Sequence, residues 1–203
     1  MTTDLTVGKP WKVLLKYILP LLGSALFQQL YTLADTIIAG KMSGSETALT
    51  AIGASTSIVN ILMAIALGAN AGCAVLCARY FGAKENTKVK SAVYTALIAF
   101  SVLSAVLLGV GLASCRPLLA AMGTPAEALE ESVVYLNIYY LGVPFLILYN
   151  LGTGIFSALG DSRTPFLFLV SSSVANVVLD YFMVQPWGVA GVAWATFIAQ
   201  GAA

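Results

Sequence analysis

Six runs of apolar residues divide this chain, and their length limits its fold more than any other feature. A helix that spans a bilayer needs about 20 apolar residues, and the first five runs each reach that length. Hydrophobic residues make up 59% of the chain and charged residues only 9%, whereas soluble domains carry about 25% charged residues. The sequence therefore predicts an all-α polytopic membrane protein, with a single lobe over residues 1–203. The predicted spans are 13–39, 48–78, 89–114, 132–158, 164–184 and 188–203.

The basic residues between these runs are distributed unevenly. Cytoplasmic segments of membrane proteins carry an excess of Lys and Arg. If the N-terminus is cytoplasmic, eight basic residues lie inside and two outside, which predicts that orientation in the cytoplasmic (inner or plasma) membrane. The inside residues are Lys9, Lys12, Lys16, Arg79, Lys84, Lys88, Lys90 and Arg163, and the outside residues are Lys41 and Arg116. A net charge of +1 argues against a nucleic-acid partner, which would need a basic surface.

Ser173, Asn176 and Asp180 interrupt the fifth apolar run with polar side chains. Spacings of three and four residues put all three on one face of a helix. A carboxylate at the centre of a bilayer helix costs about 2.5–3.5 kcal/mol on insertion scales, so such a residue is a functional candidate.

Asp35 gives the first run a carboxylate as well. The first and fifth runs both lead outward, and Asp35 and Asp180 each lie roughly 6–8 Å below the outer boundary at 1.5 Å per residue. Tyr135 in the fourth run and Thr196 in the sixth are predicted to reach the same outer half of the bundle. Two carboxylates in a medium of low dielectric would share a proton or hold a cation such as Na⁺, which prefers oxygen ligands.

Each of these residues also has a simpler explanation. The carboxylates could face water near the headgroups, and Asn176 could join two helices by a hydrogen bond. Tyr135 could be an interfacial aromatic residue, and Thr196 a small packing residue. Helix packing is also the expected role of three further asparagines in the spans, Asn60, Asn70 and Asn150. The convergence of several polar residues at one depth favours the functional interpretation.

The three cysteines, Cys73, Cys77 and Cys115, predict neither a disulfide framework nor a metal site. Cys73 and Cys77 are four residues apart in an apolar helix, and the chain has no histidine. They are therefore expected to be small packing residues. No cofactor is expected apart from a coupling ion, H⁺ or Na⁺.

The sixth run differs from the others because it contains only about 16 residues and reaches Ala203 without a basic flank. The chain is therefore predicted to be either a fragment of a longer protein or a half-size unit. In both cases its open faces would need a partner, which is a C-terminal lobe or a second copy.

Several motifs resemble the multidrug and toxic compound extrusion (MATE) family of transporters. They are residues 30–40 (LYTLADTIIAG), 78–84 (ARYFGAK) and 154–165 (GIFSALGDSRTP), together with Asn176 and Asp180 and with residues 188–196 (GVAGVAWAT). The similarity runs from about Gly8 to the end of the chain. It implies a transporter with no enzymatic activity and twelve helices in two six-helix lobes that face each other in a V, of which this chain is the first. Small amphipathic or cationic organic substrates would leave the cell as H⁺ or Na⁺ enters, and membrane lipid would surround the lobe.

The resemblance also implies which residues form the cation-coupling site. Residue by residue, the family's site corresponds here to Asp35, Tyr135, Asn176, Asp180 and Thr196. Pro20 matches a proline whose bend is linked to protonation in some members, and a proline inside a span predicts a bend because it lacks an N–H donor. The chain departs from the family in lacking a second lobe, in its short sixth run and at Ser157, where many relatives have Arg.

Three other functions are weighed against efflux. A flippase of lipid-linked oligosaccharides from the same superfamily would be expected to have basic residues in mid-span, and none is present. An intramembrane aspartyl protease would be expected to contain Tyr-Asp and Gly-x-Gly-Asp motifs. In this chain the membrane aspartates follow Ala34 and Leu179 instead. A fragment without independent function remains the third alternative.

Overall fold

Long helices account for almost all of the described chain. The computed structural model describes residues 9–43 and 47–203, and no strand occurs within these two ranges. The helices are α1 (Pro10–Met42), α2 (Ala48–Gly82), α3 (Asn86–Ala121), α4 (Ala126–Ala158) and α5 (Arg163–Ala202). By length and composition, all five could cross a membrane.

The helix α5 consists of two helical segments joined end to end. Gly188 has φ 54° and ψ −132°, which is not a helical conformation. The amide nitrogen of the Asn176 side chain nevertheless lies 3.5 Å from the hydroxyl of Thr196, although twenty residues of straight helix would separate them by about 30 Å. The chain therefore reverses at Gly188 into a first arm (163–187) and a second arm (189–202). With this break, α5 contributes two helical segments, so the described chain has six helical segments in all.

Close packing of the two arms depends on a second glycine. A Cβ atom on Gly191 would collide with the carbonyl oxygen of Met183 in the first arm. Glycine at position 191 thus lets the two backbones approach each other directly after the reversal. The predicted connection 185–187 is helical, and the whole reversal occurs at Gly188.

Helix ends extend beyond the predicted spans. The largest difference is in α3, which was predicted over 89–114 and covers Asn86–Ala121. It continues through Pro117, whose ring nitrogen costs one helical hydrogen bond without ending the helix. The helix ends at Ala121, two residues before Gly123, which has φ 77°.

The same type of turn closes α2, α3 and α4. The residues with positive φ that follow these helices are Lys84 (60°), Gly123 (77°) and Gly160 (82°). In each turn the next amide bonds to the carbonyl five residues earlier, as from Glu85 N–H to the Tyr80 oxygen at 2.9 Å. This is a Schellman motif, which normally carries glycine at its left-handed position.

The core of the lobe forms around α4, which packs against α2, α3 and α5. Close approach again requires glycine: a Cβ on Gly111 would collide with the ring of Tyr140, and one on Gly154 would lie 2.6 Å from the Asn70 carbonyl oxygen. The largest group of buried residues joins three helices: Ile58, Leu62 and Ala66 of α2, Cys115 and Leu119 of α3, and Leu136, Tyr139, Tyr140, Val143, Leu146 and Ile147 of α4. Tight van der Waals contact of this kind is what drives helix association in lipid.

Each end of the bundle has a hydrogen bond between helices that are distant in sequence. At one end the Thr47 hydroxyl donates to the Glu131 carboxylate at 2.9 Å. At the other end the Tyr17 hydroxyl donates to the Ser157 carbonyl at 2.8 Å. The pairs match the predicted alternation of the chain, with positions 47 and 131 at one end of the bundle and 17 and 157 at the other.

Candidate functional site

Asp180 is the most completely buried ionisable side chain of the first arm, with 0% of its surface exposed. Asn176 one turn away is 3% exposed, and Ser173 is 6% exposed. The polar face predicted from the spacing therefore points into the protein and away from lipid. The predicted explanation that Asp180 merely faces water near the headgroups does not fit this burial.

The reversal at Gly188 brings Thr196 against this face. The Asn176 side-chain amide donates to the Thr196 hydroxyl oxygen at 3.5 Å. The same hydroxyl donates to the Val192 carbonyl at 3.1 Å, which fixes the orientation of its oxygen. Thr196 is thus in hydrogen-bond contact with the polar face, and its role in coupling stays a prediction.

Tyr135 of α4 lies at the same end of the bundle. It packs against the buried group formed by Ala39, Val184 and Val192. Its ring stacks on that of Tyr139, with centroids 6.3 Å apart. The fold thus brings Tyr135 within one turn of Asp180 along the first arm, since Val184 follows Asp180 by four residues.

The backbone of α1 places position 35 at the height of Asp180. Phe27 and Phe166 contact each other with ring centroids 5.9 Å apart, and Ala39 packs with Val184. Residue 35 precedes Ala39 by four residues, just as Asp180 precedes Val184. The side chain of Asp35 lies outside the described part of the chain, so its contact with Asp180 stays a prediction.

Pro20 lies within α1, which continues as an α-helix on both sides of it. The hydroxyl of Ser24 donates to the Pro20 carbonyl at 3.0 Å. Pro20 cannot donate to the carbonyl four residues earlier, so this part of α1 has one helical hydrogen bond fewer. The predicted link between a bend at Pro20 and protonation stays a prediction.

Two spaces adjoin these residues. A cavity of about 60 Å³ lies beside Asn176 and Thr196 and is also lined by Asn150 and Gln200. A larger cleft of about 440 Å³ opens between α1 and α2, and its lining includes Tyr135 and Thr196. The polar side chains that α1 and α2 contribute to the cleft are Gln28, Gln29, Thr32, Thr36, Thr56 and Asn60.

The three asparagines that were expected to serve packing differ in their roles. Asn70 meets that expectation, because its backbone and side-chain oxygens adjoin Gly154. Asn150 donates to the Leu146 carbonyl at 2.9 Å and also lines the small cavity. Asn60 is exposed in the cleft, so for this residue the packing role was wrong. Periodicity alone does not distinguish a helix face that meets another helix from one that lines a cleft.

Comparison with known proteins identifies the family. The family model described as MatE matches residues 20–182. The chain belongs to the MATE family. It is 31% identical over 206 residues to the probable multidrug resistance protein YpnP of Bacillus subtilis (strain 168), covering 98% of this chain and 45% of that protein. The corresponding values for the probable multidrug resistance protein YoeA of the same strain are 29% identity over 194 residues, 93% and 42%.

A solved MATE structure agrees with the lobe at the level of the fold. The outward-facing conformation of a multidrug resistance MATE family transporter of the MOP superfamily superposes with a TM-score of 0.91 at 27% identity. The match covers 99% of this chain and 45% of that one. The chain is therefore a multi-pass membrane protein with the helical fold of MATE transporters, and it spans about half the length of the relatives it matches.

The MATE-like loop before α5 has a structural role that spacing did not reveal. The Asp161 carboxylate accepts hydrogen bonds from the Thr164 hydroxyl at 2.7 Å and from the backbone amides of Arg163 and Thr164 at 3.1 Å each. It thereby satisfies donors at the start of α5. The hydroxyl bond from Thr164, with help from the two amides, holds the pKa of Asp161 below its ordinary value.

Proposed function

We propose that this chain is the first lobe of a secondary active multidrug exporter, in which entry of H⁺ or Na⁺ at Asp180 drives efflux. The observation that carries the proposal is the complete burial of Asp180 on a face where Asn176 contacts Thr196. Oxygen and amide groups converge there, and a carboxylate in this setting is stabilised by taking up a proton or a hard cation. The names of YpnP and YoeA as multidrug resistance proteins support the assignment to efflux.

The mechanism uses the equal height of positions 35 and 180. When both carboxylates are ionised they repel each other in a medium of low dielectric. Protonation or cation binding removes that repulsion and favours a different position of α1 relative to the first arm. Pro20 weakens the hydrogen bonding within the first half of α1, so α1 would bend there.

Substrate and ion would compete through this movement. The cleft between α1 and α2 has a volume of about 440 Å³ and reaches Tyr135 and Thr196. A small amphipathic or cationic organic compound bound in it would contact groups that move with α1. Each ligand then shifts the equilibrium between the two positions of α1, to an extent set by the difference in its affinity for the two states. A second lobe or a second copy would complete the transporter in the cytoplasmic membrane, with the N-terminus in the cytoplasm.

Transport by the full-length protein in proteoliposomes tests the proposal. Asp180→Asn keeps the size of the side chain but removes its charge, so the variant lacks the carboxylate that would take up the ion. Gradient-driven efflux of a cationic dye is expected to fall at least about tenfold, which corresponds to a loss of about 1.4 kcal/mol of coupling free energy. Glu127→Gln is the matched control, since Glu127 is exposed at the start of α4. Efflux by Asp180→Asn at the rate of the control would overturn the proposal.

The same vesicles distinguish the two ions. A pH gradient and a Na⁺ gradient are applied separately to wild-type protein and to Thr196→Val, which removes a hydroxyl oxygen without changing side-chain shape. A Na⁺-coupled protein would need more Na⁺ after the substitution, because it loses an oxygen ligand. A proton-coupled protein would keep its pH dependence, because the proton binds the carboxylate.

A further inference from the structure

A groove between α2 and α3 lies apart from the coupling residues and from the cleft. Its volume is about 500 Å³. The floor is apolar and includes Cys73, Leu76, Ala92 and Phe100. The side chains of Tyr80 and Lys88 line it at the end where α2 passes into α3. Two hydroxyl side chains, Ser91 and Thr95, also line it. The groove is thus mainly apolar and carries a cation at one end.

Positive charge is concentrated at that end. Residues 79–90 contain four basic residues and a single acidic one, Glu85. Lys88 forms an ion pair with Glu85 at 2.9 Å, and its ammonium group lies 5.8 Å from the centre of the Tyr80 ring. The basic residues Arg79, Lys84, Lys88 and Lys90 are all exposed. One carboxylate does not neutralise four cations, so the end of the groove is electropositive.

Lys84 occupies a position where the chain uses glycine elsewhere. It has φ 60°, and the equivalent residues after α3 and α4 are Gly123 and Gly160. A side chain in the left-handed region is strained, and strain of this kind is retained where the residue has a use. Lys84 lies in the turn between Tyr80 and Lys88, so its positive charge adds to that of Lys88 at the end of the groove. This charge is the role that its surroundings indicate.

We propose that this groove binds one anionic phospholipid, with its phosphate near Lys84 and Lys88 and an acyl chain along the floor. The distance from Lys88 to Phe100 along α3 is about 18 Å at 1.5 Å per residue, which suits one leaflet of a hydrocarbon core about 30 Å thick. Leu76 lines the groove and is itself an exposed apolar side chain, so the groove is open to the surrounding lipid. Basic pockets between membrane helices recognise anionic headgroups in this way.

Native mass spectrometry of the full-length protein tests the headgroup. Phosphatidylglycerol is compared with phosphatidylcholine of the same acyl chains, and with glycerol phosphate, which has none. Phosphatidylglycerol is expected to bind more tightly than either. Lys88→Gln and Lys84→Gly should each weaken it about fivefold, the effect of one lysine near an anionic lipid, while Lys41→Gln at the outer end should not. Equal binding of the two lipids, or unchanged binding by both groove variants, would refute the proposal.

Lys84→Gly also separates charge from folding. Glycine relieves the strain at φ 60°, so the thermal stability of this variant should be kept or raised while lipid binding falls. A fall in both would assign Lys84 a structural role and count against the proposal.

The acyl chain is tested by filling the groove. Ala99 lines it and is exposed, so Ala99→Trp should block phosphatidylglycerol without disturbing the core. Val106→Trp is the control, because Val106 is an exposed residue of the same helix outside the groove. Unchanged binding by Ala99→Trp, or binding of glycerol phosphate as tight as that of the lipid, would exclude a lipid in this groove.

Discussion

At the scale of single residues, Asp161 shows how one carboxylate fixes the start of a span. Its oxygens accept bonds from the Thr164 hydroxyl and from two backbone amides at the beginning of α5. These bonds favour the ionised form and lower the pKa of Asp161. The stabilisation is therefore present above the pKa of the unfolded chain and is lost as pH falls through the lower pKa of the folded protein.

Asp161→Ala should lower the free energy of unfolding at pH 7 by about 1 kcal/mol, the usual value of a lost N-terminal cap. Thermal unfolding of the full-length protein in detergent measures the change, and Asp161→Ser is the control because serine also caps helices. The wild-type advantage over Asp161→Ala should shrink as the pH is lowered below about 4. An advantage that stays constant down to pH 3 would show that the carboxylate charge plays no part.

At the scale of helices, Gly188 decides whether Thr196 and Asn176, two of the proposed coupling residues, meet. The reversal of α5 at φ 54° and ψ −132° brings Thr196 to Asn176. A residue with a Cβ is strained in this conformation, at a cost of about 1–3 kcal/mol. The hydrogen bond between the two arms depends on the reversal, so the stability of the lobe and the coupling that we propose both depend on this one glycine.

Gly188→Ala is therefore expected to lower the thermal stability of the full-length protein in detergent and to weaken ion-driven efflux. Gly68→Ala is the matched control, because Gly68 lies in α2 with open space around its Cα and alanine favours helix there. The expected order of melting temperatures is Gly68→Ala at or above wild type, with Gly188→Ala below both. Equal melting temperatures for the two variants would show that the reversal does not need glycine.

The helices could be predicted from sequence because apolar length alone defines a span. The face of Asn176 and Asp180 could be predicted as well, since helical spacing fixes which residues share a side. The single-residue reversal at Gly188 could not, because it depends on how the two arms pack. Asn60 was misassigned for a related reason: only the docking of α1 beside α2 decides that its face lines a cleft.

At the scale of the whole lobe, α1 is held mainly along the first arm of α5 and near its own N-terminal end. Its outward side is largely exposed, with Leu19, Leu26 and Leu30 each about 60–66% exposed. The Tyr17 hydroxyl bond to the Ser157 carbonyl joins the first half of α1 to the end of α4. Pro20 follows Tyr17 by three residues, so this bond holds the half of α1 that would swing if the helix bent.

Tyr17→Phe should therefore increase the population in which the N-terminal part of α1 has moved away from α4. A hydrogen bond contributes about 1 kcal/mol, so the ratio of the two populations should change about fivefold. Electron spin resonance distances between labels at exposed Leu14 and Phe156 measure the populations in the full-length protein. Tyr94→Phe is the control, because Tyr94 is 65% exposed on α3. Identical distance distributions in both variants would mean that α1 is held by its contact with α5 alone.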